Sequence, residues 1–119
     1  MFNKVEPVII ECLTTLSIEE SRKQIRKCLI ILGATIQKDQ LNLLTASLGS
    51  SIKMRLLGVL AGIGSFPRII SISFEKLEKT KICIEVKDNF GFGSRVGIAD
   101  KVHELMLSDA QKIQDIFLD

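Results

Sequence analysis

Tryptophan and tyrosine are absent from this 119-residue chain, and six phenylalanines are its only large rings. Two residues that dominate binding hot spots are therefore missing, so a partner surface has to be built from aliphatic side chains and phenylalanine. There is one histidine, His103, which leaves no histidine pair for zinc or for a proton relay. The three cysteines, Cys12, Cys28 and Cys83, are widely spaced and contain no C-x-x-C. An odd set of that kind excludes a disulfide framework or a zinc ribbon and points to reduced, buried thiols and a cytoplasmic protein. The amino terminus carries no secretory pattern, because Asn3, Lys4, Glu6 and Pro7 interrupt it. Long apolar runs are also lacking. The longest, Leu56 to Phe66, is too short to span a bilayer and contains Gly58, Gly62 and Gly64. Charge of one sign is scarce: 16 Lys and Arg against 14 Asp and Glu leave +2, which is no electrostatic footprint for nucleic acid or an anionic membrane.

What remains is ordinary globular material, 46% hydrophobic and 25% charged, enough for one domain over 1–119 with its own core. The strongest pattern lies at the carboxyl end. Ile98, Val102, Leu105, Met106, Ile113, Ile116 and Phe117 recur at three- and four-residue steps and share one helical face. A helix from Ile98 to Leu118 is about 31 Å long. Burying that stripe contributes on the order of 10–20 kcal/mol before entropy. Asp109 interrupts it. Either Ser108 and Gln111 cap a second short helix there, or the helix continues with a bend and Asp109 sits in a wet or partnered pocket with its pKa raised.

The rest of the chain reads as strands around one more helix. Val8 to Leu13 suits a strand with Glu11 facing out. Ser17 and Glu20 form a capping box for a helix on which Ile18, Ile25, Cys28, Leu29 and Leu32 share a face, and Gly33 suits its left-handed C′ position. Ile30 and Ile31 fall off that stripe, so the last turn is either deeply buried or touches a partner. Ala34 to Lys38 and Leu41 to Ser47 read as a hairpin closed near Asp39. Period-two alternation predicts strands over Ile52 to Leu57, Arg68 to Lys76 and Lys81 to Lys87, with a turn at Glu78–Lys79.

Short connections force antiparallel pairing, and two helices are the only cover for a sheet face. The expectation is an α+β fold: an antiparallel sheet of about five or six strands in the order β-α-β-β-β-β-β-α, with both helices on one face. In outline this resembles a cut-down helix-grip arrangement, in which a bent sheet holds a carboxyl-terminal helix, as in small lipid-carrying proteins. The resemblance implies a cleft between sheet and terminal helix, lined here by Leu105, Asp109 and Ile113.

Four further places offer chemistry. The loop from Gly91 to Gly97 precedes a helix, so Gly91, Gly93, Ser94 and Arg95 form a candidate anion cradle, with a tight glycine turn as the alternative. Phe90-Gly91-Phe92 is a weak echo of an RNA-binding aromatic strand, placed in a loop. The segment from Gly58 to Pro67 offers Val59, Leu60, Ile63 and Phe66 to a lid, a membrane or a second copy, or folds back over the sheet end. Lys53, Arg55, Arg68 and Lys81 are a candidate basic stripe on the outer sheet face, where Glu75 and Glu85 would balance them. No nucleophile–base pair, metal cluster or cofactor motif accompanies these. The leading reading is a non-enzymatic binding module for an apolar small molecule or a protein partner, with self-association into a homodimer. A small enzyme using Asp109 or His103 with the glycine loop is second, and weak nucleic-acid binding third.

Overall fold

The structure is a computed structural model, and it describes residues 5–50, 62–90 and 98–118. It is an α+β arrangement. Strand β1 (Val8–Thr14) leads to helix α1 (Ile18–Ile31), then to β2 (Thr35–Gln40), β3 (Leu43–Leu48), β4 (Arg68–Lys76), β5 (Thr80–Asp88) and helix α2 (Ala99–Gln114). The strands form one antiparallel sheet in the order β1-β5-β4-β3-β2. Helix α1 therefore carries the chain from one sheet edge to the other. The sixth strand expected over Ile52 to Leu57 lies outside the described residues.

Alternation sorts the sheet into two faces. Val8, Ala46, Ile70 and Val86 make one cross-strand row, and Leu44, Ile72, Ile84 and Ile10 the next. These rows join Ile25 and Leu29 of α1 and Val102, Met106, Ala110 and Ile113 of α2 in a single buried cluster. Both helices thus cover the same face. The opposite face carries Ser71, Ser73, Cys83 and Glu85, which are half-buried or exposed.

Local chemistry sets the ends of α1. Ser17 Oγ accepts from the Glu20 N–H at 3.0 Å. The other half of the capping box does not close, because Glu20 Oε1 accepts from the Gln24 side chain at 3.4 Å instead. At the far end Gly33 adopts φ +86°, its N–H donates to the Ile30 carbonyl, and Ala34 N–H donates to that of Leu29. That pair of bonds is the Schellman ending, and glycine takes the left-handed position without a Cβ penalty.

One boundary differs from expectation, and one open alternative is decided. The β2–β3 hairpin turns at Leu41–Asn42, not near Asp39, with Gln40 paired to Leu43. A bulge between Ile36 and Lys38 absorbs the register change and puts Asp39 opposite buried Leu44, on the helix side of the sheet. Helix α2 runs unbroken through Ser108, so Ser108 starts no second helix, and the chain tightens into a 3₁₀ turn only at Asp115–Phe117. Among the described residues no helix is long and apolar enough to cross a membrane.

Candidate functional site

Arg68 is the first residue of β4 and has the same parity as Ile70, Ile72 and Phe74, so its side chain enters the covered face. There it meets Asp109, the one carboxylate on the buried stripe of α2. Nε donates to Asp109 Oδ2, and Nη2 donates to Oδ1 at 3.3 Å. Nη1 donates to the carbonyls of Gly64 at 3.1 Å and Phe66 at 3.0 Å. The guanidinium fork thus ties α2, the start of β4 and the 3₁₀ turn Ile63–Ser65 into one knot. Both residues are buried, which excludes Arg68 from the basic stripe expected on the outer face. Parity decides this: an Arg two residues before Ile70 must share its side of the pleat. Lys53 and Arg55 of that stripe lie outside the described residues, while Lys81 does face outward, 3.0 Å from Glu11 and opposite Glu75. The Glu11 carboxylate holds the Lys81 ammonium above the ordinary lysine range.

The same end of the sheet holds a second buried carboxylate. Asp88 pairs across the ladder with Arg68 and accepts from Val5 N–H at 3.1 Å and Phe90 N–H at 2.9 Å. Phe90 meets Phe66 edge-on, with ring centroids 5.3 Å apart. Phe66 is fully buried, so it completes the core and is not available as a contact for a second copy. Ile63 is half-buried against that core. Val59 and Leu60, and the proposed anion cradle Gly91, Gly93, Ser94 and Arg95, lie outside the described residues.

The three residues expected to line a ligand cleft fare differently. Leu105 is half-buried, Ile113 is fully buried in the core, and Asp109 is engaged by Arg68 on both oxygens. His103 is exposed. It stands six residues from Asp109, a rotation of about 240° around the helix, so the two do not face one another. Among the described residues no group of three or more His, Cys, Asp or Glu could hold a metal.

Open space lies elsewhere. Between α1 and the carboxyl end of α2 runs a groove of about 620 Å³, lined by Gln24, Cys28, Ile31 and Leu32 on one bank and Lys112 and Ile116 on the other, with Lys27 and Glu20 at its rim. Ile31 of that lining is 84% exposed, and its neighbour Ile30 is 60% exposed. Cys28 Sγ sits 4.0 Å from the Lys112 carbonyl oxygen. Burial pushes the Cys28 thiol above its ordinary pKa, and Lys112 offsets part of that rise. Sequence reasoning flagged the all-round apolar last turn of α1 but could not say that α2 stops short of covering it. A smaller polar recess of about 200 Å³ lies along α1, where Arg22 and Arg26 both grip Asp39 at 3.0 Å.

No protein-family model matches the chain, and comparison with curated proteins finds no match.

Proposed function

We propose that this chain is a non-enzymatic protein-interaction domain, and that its docking site is the groove between α1 and the end of α2. The observation that carries this reading is the exposure of Ile30 and Ile31 at the edge of that groove. A helix end that leaves two adjacent isoleucines in water gains nothing for its own fold, and covering them is favourable. Lys27 and Lys112 outnumber the one carboxylate of the lining, Glu20, so the complementary occupant is an amphipathic helix with an apolar ridge and a net acidic flank. The finer likeness to a helix-grip arrangement is supported by the strand order and by α2 lying against β1 and β5. An enclosed apolar ligand between sheet and helix has less support, because Arg68 fills the space facing Asp109. The enzymatic alternative is weaker still, with Asp109 held on both oxygens and His103 turned away. The free thiols of Cys12, Cys28 and Cys83 fit a reducing, cytoplasmic setting.

Peptide display tests this. Peptides selected on the native protein should be helical, apolar on one face and acidic beside it. They should lose at least about tenfold in affinity on Ile31→Glu and on Lys112→Glu. Occupancy should also protect Cys28 from maleimide. Selected peptides that bind both variants unchanged and leave Cys28 reactive would place the docking site elsewhere.

A further inference from the structure

The two edges of the sheet are built differently. Strand β2 is guarded: a bulge interrupts it between Ile36 and Lys38, and Gln37, Lys38, Asp39 and Gln40 are exposed polar residues. Asp39 is further drawn toward α1 by Arg22 and Arg26. Bulges and charges are the usual means of keeping an edge from recruiting another strand. Strand β1 carries only one charge, Glu11, and Lys81 Nζ lies 3.0 Å from its carboxylate. Its seven residues, Val-Ile-Ile-Glu-Cys-Leu-Thr, contain no proline and no bulge, and they pair in unbroken register with β5. Among the described residues β5 is its one strand neighbour, which leaves a row of backbone N–H and C=O groups along its other side. On the uncovered face of the sheet Ile9 is 58% exposed and Leu13 is 57% exposed, flanking Glu11.

We infer that β1 pairs antiparallel with β1 of a second copy of this chain, joining two sheets into one of ten strands about a two-fold axis at Glu11. Backbone chemistry demands that the occupant be a strand, and the side chains suit β1 itself. With Glu11 on the axis, all seven residues overlap: Val8 faces Thr14, Ile10 faces Cys12, and Ile9 faces Leu13 in both halves. Shifting by two residues sets Ile9 or Leu13 against Glu11 and shortens the overlap. The two Glu11 carboxylates then approach across the axis, and each brings the Lys81 ammonium that already lies 3.0 Å from it. The result is a neutral quartet of two acids and two bases in place of a like-charge contact. The axis is perpendicular to the sheet, so both helical layers lie on one side and the groove between α1 and α2 stays open in each copy.

Sedimentation across a concentration series should show a monomer–dimer equilibrium. Ile9→Lys with Leu13→Lys should weaken it by about tenfold or more, since four added cations meet across the seam. Ile31→Glu should leave it unchanged, which separates this interface from the groove. In a background with Cys12, Cys28 and Cys83 replaced by Ser, Glu11→Cys should oxidise to a disulfide-linked dimer, with each chain's residue 11 joined to its mate. That variant keeps the proposal testable if the double lysine variant fails to fold. A native chain that stays monomeric to millimolar concentration sinks the proposal, as does a dimer indifferent to the lysines or a Glu11→Cys variant that never crosslinks.

Discussion

Arg68 and Asp109 show what a single buried charge does to its surroundings. Each is costly to bury alone, and together they satisfy one another while the guanidinium also donates to the carbonyls of Gly64 and Phe66. Asp109→Asn or Arg68→Met should each destabilise by roughly 3–5 kcal/mol, because the surviving partner is left unpaired in the core. Replacing both, by Met at 68 and Leu at 109, should cost far less than the sum, and urea titration of the four proteins measures the coupling. A double variant as unstable as the sum of the singles would mean that the two residues act separately. Asp109 was visible in the sequence as a misfit on an apolar stripe. The burial of Arg68 was legible too, by parity with Ile70, had it been counted with the buried positions and not with the surface lysines; its meeting with Asp109 was not.

Elements here begin and end where short-range chemistry says they should. Ser17 opens α1 and Gly33 closes it; β4 and β5 start and stop within a residue of the alternating pattern. Connections depend on closer fits. Gly49, after β3, has φ +83°, and a Cβ there would run into the Phe66 carbonyl and lie 2.6 Å from Ser65 O, while Ser50 N–H donates to that same Ser65 oxygen at 2.8 Å. Gly49→Ala should therefore destabilise by about 2 kcal/mol or more, combining an unfavourable left-handed backbone with a backbone clash. By contrast, Gly33→Ala meets open space and carries the left-handed penalty alone, about 1 kcal/mol. Thermal melts of the two variants should rank in that order; equal losses would remove the close approach of Phe66 as the cause.

For the molecule as a whole, the sheet and both helices share one core, and two half-covered thiols border it. Burial raises the pKa of Cys12, with Cys83 adding to it, and likewise that of Cys28. The folded state then holds these protons more tightly than the unfolded chain. The associated stability is complete below an unfolded thiol pKa of about 8.5 and is lost as pH rises through the folded values. Melting temperature should fall above that pH, and Cys12→Val with Cys28→Val should flatten the decline. An equal decline in both proteins would assign it to other groups.

Periodicity and capping are properties of neighbours along the chain, so the sequence by itself determined the α+β class, the alternation of β4 and β5, the amphipathic α2 and the start and stop of α1. The meeting of Arg68 with Asp109 joins residues 41 apart, and the open flank at Ile31 depends on where α2 ends relative to α1. Neither follows from any local window. Both are set by how the elements stack, because which side chain faces water is decided only when every other surface has taken its place.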